Sequence, residues 1–382
     1  MRAIILLERN RCKMIDDFNL RELVHPLQEW FLKNARVLPW REEATPYHVW
    51  VSEIMLQQTR VEAVKPYFAR FTKELPDVAA LAACPEDKLL KLWEGLGYYN
   101  RVRNMQEAAK QIMEDFAGEI PADYETLLTL KGIGNYTAGA ISSIAYGKKA
   151  PAVDGNVLRV ISRVTGDDSD IMKQSVRKNM EQRLSSLMEN AEELIPGVFN
   201  QGLMELGAMV CVPNGKPHCE SCPWETMCVA RQQDLIDVLP VKNTQKKRRI
   251  EEMTVLLIRD GEKIVLHKRP KKGLLAGLYE LPNLSGHQEK EAILSYVESL
   301  GFLPLRIKPV GEAKHIFSHV EWHMKGYMVF VGEMEPKPGE WLLVDVEEAR
   351  SSYAIPAAFS KYAEYINIPI GKEAFTESGN QP

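Results

Sequence analysis

Up to about residue 235, apolar residues recur every three or four positions, the spacing of one face of an α-helix. The first such stretch begins at Leu20 and ends near Arg36, and Pro39 then predicts an extended turn. Thr45 and Pro46 supply an N-cap and a first-turn proline. They predict a helix over 47–58, and the pattern predicts further helices over 61–71, 75–83, 85–93 and 136–145.

The period changes after a cationic, proline-containing stretch over 235–251, which has the composition of a linker. Strands are predicted over 253–258 and 263–267, joined by a turn at Asp260-Gly261. A helix over 289–300 and strands over 322–331 and 341–344 follow. The predicted protein is therefore multidomain: an all-α region at 20–234 and an α+β domain at 252–370, with a leader at 1–19 and a tail at 371–382.

The composition fits a soluble protein of two or three domains, because 45% of the 382 residues are apolar and no 18-residue run lacks charge. We expect it in the cytoplasm, outside membranes. The formal net charge of −4 leans away from DNA, which is bound through Lys and Arg. A binding face needs only local positive charge, however, so the net charge does not exclude DNA.

Two glycines flank one apolar residue at Gly132-Ile133-Gly134, between two helical patterns. This composition predicts a tight hairpin with uncovered backbone N–H groups, which can hold a phosphate at the start of the next helix. An ordinary structural turn is the alternative.

Two acids stand in unusual surroundings. Asp154 lies between an apolar pair and Gly-Asn, at a predicted helix start, and Glu53 lies among large apolar side chains. Asp154 could serve only as an N-cap, and Glu53 could extend to solvent. The other interpretation is a pair of functional carboxyls, with the pKa of Glu53 raised by an apolar pocket.

The stretch 94–103 combines glycines, a tyrosine pair and two arginines. Aromatic side chains on such a turn can stack on a base while the arginines hold phosphates. The alternative is a helix-capping turn with one buried tyrosine.

Four cysteines lie within eighteen residues, in the pattern C-x7-C-x2-C-x5-C: Cys211, Cys219, Cys222 and Cys228. Four thiolates can saturate zinc or a [4Fe–4S] cluster, and the spacing alone does not choose between them.

Together, the hairpin and Asp154 resemble the signature of the helix-hairpin-helix DNA glycosylases related to endonuclease III. Members that also cut the strand carry a nucleophilic lysine where this chain has Tyr136. The tyrosine, and the segment from Ser52 to Thr59, resemble the adenine DNA glycosylase (MutY) branch.

The resemblance implies catalytic roles. Glu53 is the general acid, Asp154 stabilises or attacks the sugar, and Tyr136 and Asn156 hold that aspartate. The cofactor implied is one [4Fe–4S] cluster on the four cysteines, although the first gap has seven residues where the family usually has six.

The resemblance also implies the DNA contacts. Residues expected at the flipped adenine or on nearby DNA are Arg36, Trp40, Arg41, Leu56 and Gln201. Those expected at the opposite-strand purine are Gln57, Gln58, Thr59, Leu96 and Tyr98. The hairpin glycines Gly132 and Gly134 hold a phosphate, and a loop of Phe317, Ser318 and His319 reads 8-oxoguanine.

The implied function is a monofunctional adenine DNA glycosylase in base excision repair. It is expected to act as a monomer on double-stranded DNA containing A:8-oxoguanine or A:G. The C-terminal domain resembles a Nudix domain without the R-E-x-x-E-E helix that holds magnesium, so we expect it to recognise rather than hydrolyse. The alternatives are a bifunctional pyrimidine glycosylase and lyase, and a damage-binding protein without catalysis.

Overall fold

The computed structural model describes residues 19–243, 248–332 and 341–370. These residues form two compact units. The first comprises the described residues of Met1–Gln58, Asp77–Ala82 and Asn104–Thr244, and the second those of Thr59–Pro76, Ala83–Arg103 and Gln245–Pro382. No helix in these described stretches is both long enough and apolar enough to cross a membrane.

The secondary structure of the described residues from 19 to 232 is helical. Its α-helices are α1 Val24–Asn34, α2 Pro39–Glu42, α3 Pro46–Leu56, α4 Val61–Glu74, α5 Val78–Ala83, α6 Glu86–Leu92, α7 Asn100–Asp115, α8 Tyr124–Leu128, α9 Asn135–Ala140, α10 Gly155–Thr165, α11 Gln174–Asn190, α12 Pro196–Met209 and α13 Val229–Gln232. One π-helical turn, Ile141–Ala145, continues α9, so the helix predicted over 136–145 has two parts.

The start of α3 follows the local rules that predicted it. The Thr45 side chain accepts a hydrogen bond from the backbone N–H of His48, and Pro46 occupies the first turn. The helix ends at Leu56, two residues earlier than predicted, because Gln58 has a φ of 61° that no α-helix contains. The extended turn predicted at Pro39 is wrong, since Pro39 begins α2 and only the preceding Leu38 is extended.

The core of the first unit lies where α1, α10 and α12 meet. One buried hydrophobic cluster contains Leu27 of α1, Val157 and Ile161 of α10, and Leu203 and Leu206 of α12. These three helices carry Asp154 at the start of α10 and the side chains of α12, so the core fixes the positions of both.

The second unit contains a seven-stranded sheet in the order β3-β2-β1-β6-β5, with β4 paired to β1 and β7 to β2. The strands are β1 Arg249–Asp260, β2 Lys263–Lys268, β3 Tyr279–Glu280, β4 Asn283–Ser285, β5 Leu303–Ile316, β6 Val320–Gly332 and β7 Trp341–Asp345. Besides α4 and α6, this unit contains the helices α14 Lys290–Ser299, α15 Val346–Ser352 and α16 Ser360–Ala363. Among the described strands, β1 and β6 are the only pair that runs parallel.

The β1–β2 hairpin is confirmed, but its turn is Gly261-Glu262, one residue later than predicted, because Asp260 still pairs with Lys263. Strand β5 was not predicted. Pro304, Pro309 and Gly311 interrupt its alternation, and the pairing with β6 shifts register at two of these places. The sheet carries a hydrophobic cluster on each side, one containing α14 and the other α16.

Candidate active site

The carboxyl of Glu53 is buried, with 6% of the residue exposed. It lies on α3, where seven other residues from Tyr47 to Met55 are also buried. Burial raises the pKa of Glu53 to about 7. The Tyr136 hydroxyl and the Arg41 charge oppose that rise, while the Asp154 charge adds to it. At neutral pH the group is therefore close to half protonated.

Tyr136 follows the glycine hairpin as the second residue of α9. Its hydroxyl donates a short hydrogen bond to Glu53 Oε2 and lies 3.1 Å from Met204 Sδ on α12. That Tyr136 holds Asp154 stays a prediction, and the carboxylate that its hydroxyl binds among the described contacts is Glu53. Burial raises the pKa of Tyr136 well above 10, so the phenol keeps its proton.

Asp154 is the N-cap of α10. Its Oδ1 accepts from the backbone N–H of Val157 at 2.8 Å, and its Oδ2 accepts from the Asn156 side-chain amide at 2.7 Å. Burial raises the pKa of Asp154, while these N–H donors lower it. The site thus treats its two carboxyls differently: one is surrounded by apolar groups, and the other is held by donors that favour the anion.

The hairpin glycines have different reasons to be glycine. Gly132 has a φ of 77°, and a Cβ there would lie 2.6 Å from the Asn104 Cβ. Gly134, the N-cap of α9, has a φ of −104°, and a Cβ would meet open space. The fold therefore requires glycine at 132 but leaves room for a side chain at 134.

The residues expected around adenine come together in part. Arg41 donates from Nε to Gln201 Oε1 at 3.0 Å, which joins α2 to α12. Trp40 is buried and Leu56 is half-buried. Arg36 and Arg41 both bind the buried carboxylate of Glu205 on α12. Sequence reasoning missed Glu205, although it is a lone acid in an apolar helix, the same signal that marked Glu53.

The residues expected to contact the opposite-strand base belong to both compact units. Gln57 and Gln58 follow α3 in the first unit, and Thr59 begins the second. Gln58 and Tyr98 have φ angles of 61° and 47°, a left-handed conformation that is uncommon outside glycine and concentrates at functional sites. Leu96 is buried, whereas Tyr98 is 50% exposed.

Within the second unit the structure brings Tyr98 to the loop between β5 and β6. The Tyr98 hydroxyl lies 3.1 Å from Ser318 Oγ. Phe317 is half-buried and packs edge-on against Trp322 at a centroid distance of 4.8 Å, while Ser318 and His319 are exposed. An aromatic ring thus anchors the loop and leaves its polar side chains to solvent.

The four cysteines line one small cavity beside the start of α13. Within the described ranges no three His, Cys, Asp or Glu side chains are arranged as ligands of one metal ion. The chemistry of the donor set nevertheless fits a metal centre, since four sulfurs face a common space and the Arg163 guanidinium lies 3.4 Å from Cys211 Sγ.

A chain of hydrogen bonds joins this loop to Asp154. Arg159 donates to the Asn156 side-chain oxygen at 2.8 Å and to the Cys211 carbonyl at 2.9 Å, and Asn156 donates to Asp154. Helix α12 passes so close that a Cβ on Gly207 would lie 2.7 Å from the Asn156 Cβ. Arg159 was missed; two arginines four residues apart in an apolar helix were its only signal.

Comparisons with known proteins agree with this geometry. Residues 51–186 match the HhH-GPD superfamily of base excision DNA repair proteins, and residues 254–365 match the NUDIX domain. The adenine DNA glycosylase of Mus musculus is 33% identical, covering 89% of this chain and 77% of its own length. That of Homo sapiens is also 33% identical, covering 88% and 72%. The Buchnera aphidicola (Acyrthosiphon pisum) relative is 35% identical, covering 68% and 73%. The chain is thus a DNA N-glycosylase, an enzyme that hydrolyses N-glycosyl bonds, and it belongs to the adenine DNA glycosylase family.

Proposed function

We propose that the protein is a monofunctional adenine DNA glycosylase that removes adenine mispaired with 8-oxoguanine, and with guanine, from double-stranded DNA. The observation that carries the proposal is the pair of buried carboxyls at Glu53 and Asp154, the first bound by the Tyr136 hydroxyl and the second by two N–H donors. A duplex hides the glycosidic bond of adenine, so the base must first be flipped out of the stack.

Glu53 supplies the proton. With a pKa raised by burial to about 7, it is protonated in a large fraction of molecules at neutral pH and can protonate N7 of the adenine. The bond to the sugar then breaks with adenine as the leaving group. The Tyr136 hydroxyl orients the carboxyl, and Glu53 returns as the base that activates water.

Asp154 acts on the sugar. Its carboxylate is held by Val157 N–H and the Asn156 amide, so it is positioned to stabilise the oxocarbenium-like sugar or to bond with it as in retaining glycosidases. Water then completes the hydrolysis and leaves an abasic site. Removing either acid should therefore stop the reaction without removing a phosphate contact.

Tyr136 supports the monofunctional assignment. A lyase reaction needs an amine that forms a Schiff base with the abasic sugar. The position after the hairpin carries a phenol whose pKa is raised well above 10 and whose hydroxyl is bound to Glu53. The product should be an intact strand with an abasic site.

Recognition of the purine opposite adenine is assigned to two groups of residues. Gln58 and Tyr98 are left-handed residues with exposed side chains, and the half-buried Thr59 follows Gln58 directly. Ser318, 3.1 Å from the Tyr98 hydroxyl, and His319 offer a hydroxyl and an imidazole to the polar groups of 8-oxoguanine. Helix α14 carries only two carboxylates, Glu291 and Glu298, so this domain recognises and does not hydrolyse.

The four cysteines are proposed to hold one [4Fe–4S] cluster. The cluster would fix the 211–228 loop, and no step of the hydrolysis depends on electron transfer. Arg163, facing the Cys211 sulfur, and Arg159, bound to its carbonyl, would transmit the position of that loop to α10 and Asp154.

We also propose the domain limits 20–234 and 252–370, a monomer, and a cytoplasmic enzyme associated with the nucleoid when it binds DNA. The match to the glycosylase superfamily at residues 51–186 and the positions of Glu53 and Asp154 support 20–234 as the catalytic region. The NUDIX match supports the second limit.

The experiment compares duplexes with A opposite 8-oxoguanine, A opposite guanine and thymine glycol, each analysed with and without alkali. The proposal expects adenine release from the first two and strand breaks only after alkali. Release of thymine glycol with breaks in the absence of alkali would indicate the bifunctional lyase. Tight binding without release of any base would indicate a damage-binding protein.

A further inference from the structure

Glu205 on α12 is a carboxylate with four N–H donors and almost no access to solvent. Its side chain is 2% exposed. Oε1 accepts from the backbone N–H of Arg36 at 3.0 Å and from Arg36 Nε at 2.8 Å. Oε2 accepts from the terminal nitrogens of Arg36 and Arg41, each at 2.9 Å. Both oxygens are therefore occupied by charged partners, the condition under which a buried carboxylate is stable.

This carboxylate remains an anion. Burial opposes its ionisation, but the hydrogen bonds from Arg36 and Arg41 outweigh burial and lower the pKa of Glu205 to about 2. Glu205 therefore cannot exchange protons during the reaction, and any role it has must act through the arginines.

Arg41 is held from three sides. Its Nε donates to Gln201 Oε1 at 3.0 Å, one terminal nitrogen donates to the Arg36 carbonyl at 3.1 Å, and the other to Glu205. The guanidinium also lies over the Phe31 ring, 5.2 Å from its centroid. Because the guanidinium is planar, the bond to Glu205 fixes the direction in which Nε points.

The fixed direction of Arg41 Nε determines the orientation of the Gln201 amide. An amide carries a donor end and an acceptor end of similar shape, and its neighbours decide which way it faces. Arg41 Nε can only donate, so it must face the carbonyl oxygen. The amide nitrogen donates to the Gly197 carbonyl at 3.2 Å, which favours the same orientation. Among the described contacts, one N–H and one lone pair of this amide are left for a ligand.

That orientation matches adenine. The remaining lone pair of this amide can accept a hydrogen bond from the N6 amino group, while N7 is left to Glu53, which protonates it. Guanine presents O6 where adenine presents N6–H, so the amide oxygen would face another acceptor. Gln201, Met204 and Glu205 lie at the spacing of one helical face, and Met204 Sδ contacts the Tyr136 hydroxyl that binds Glu53.

We propose that Glu205 is a positioning residue for base recognition: by holding Arg41 it fixes the Gln201 amide in the orientation that recognises the N6 amino group of the flipped base. This inference rests on the proposed function, since it requires adenine as the substrate. Glu205 touches no reacting atom, and its effect passes through Arg41 to Gln201.

The test uses duplexes that carry, opposite 8-oxoguanine, either adenine or unsubstituted purine, which lacks the N6 amino group. Single-turnover release of each base is measured with the full-length wild type and with Glu205→Gln. Glutamine keeps the shape but replaces one acceptor by a donor, so it cannot hold both arginines. The ratio of the two rates in each protein is compared, which cancels the different reactivity of the two bases.

In Glu205→Gln, the adenine-to-purine ratio should fall by about tenfold relative to wild type, the effect of losing one recognition hydrogen bond. Gln201→Ala should lower the ratio equally, and the double variant should lower it no further, because both act on one contact. Glu205→Asp, which keeps the charge, should recover part of the ratio. An exposed acid on α7 gives the control Glu114→Gln, which should keep the wild-type ratio.

An unchanged ratio in Glu205→Gln, even with both rates lowered, would overturn the inference, because loss of structure alone slows both bases alike. If Glu205→Gln does not fold, Arg41→Lys serves instead, since it keeps the charge but removes the planar donor, and it should lower the ratio in the same way. An unchanged ratio there would also overturn it. Failure of the wild type to release adenine would instead refute the proposed function.

Discussion

Replacing Glu53 by glutamine should change the stability of the protein in a pH-dependent way. The folded protein holds this carboxyl with a pKa near 7, against 4.5 for the ordinary group. Glutamine has nearly the same shape and can still bond with the Tyr136 hydroxyl, but it never ionises. The variant therefore removes the ionisation of residue 53 and little else.

The size and sign of the change in the free energy of unfolding follow from the difference between the folded and unfolded pKa values of Glu53. A folded-state pKa above the unfolded one stabilises the fold below about pH 4.5, and that contribution is lost as the pH rises through about 7. A difference of 7 − 4.5 units corresponds to about 3 kcal/mol at about 1.36 kcal/mol per unit. Relative to wild type, Glu53→Gln should thus gain about 3 kcal/mol between pH 4.5 and pH 8.

Thermal denaturation of both proteins between pH 4.5 and pH 8.5 measures this. The midpoint of Glu53→Gln should rise relative to wild type by roughly 5–10 °C across that range. The control Glu114→Gln, an exposed acid in the same unit, should show a constant difference. A constant difference for Glu53→Gln as well would mean that its pKa is ordinary. The carboxyl would then be ionised at neutral pH, which would refute its role as the acid.

Three further predictions follow from the hairpin, the phenol and the recognition loop. Gly132→Ala should lower the free energy of unfolding by about 2 kcal/mol because of its φ and the contact with Asn104. Gly134→Ala should change stability little yet weaken DNA binding; equal unfolding midpoints for the two would contradict this. Borohydride should trap no covalent complex with the wild type, whereas Tyr136→Lys should gain one, and efficient trapping by the wild type would restore the lyase. Replacing Ser318 and His319 by alanine should reduce the preference for A opposite 8-oxoguanine over A opposite guanine by about ten- to a hundredfold. Retention of the full preference would place the recognition elsewhere.

Local chemistry allowed much of the fold to be predicted. Thr45 and Pro46 determine where α3 begins, and Asp260-Gly261 located the β1–β2 turn to within one residue, because caps and turns depend on a few adjacent residues. Strand β5 escaped because its prolines and its register shifts break the alternation on which strand prediction depends.

Site residues could be predicted from the sequence only where a single residue is unusual in its local surroundings. Glu53 stood out as an acid in an apolar helix, but its partner Tyr136 lies 83 residues away and only the fold brings them together. Glu205 gave the same signal and was missed, because nothing local tells an acid that extends to solvent from one that binds two distant arginines. Such pairings depend on how the helices pack.

The most direct test of the central claim is the single-turnover release of adenine from a duplex with A opposite 8-oxoguanine, with binding to the same duplex measured in parallel. Wild type, Glu53→Gln and Asp154→Asn are compared. The account predicts that each variant releases adenine at least about a hundredfold more slowly, the usual contribution of a catalytic acid or base, while the affinity for the duplex is retained. A wild-type rate in either variant would contradict the claim that these two carboxyls perform the reaction.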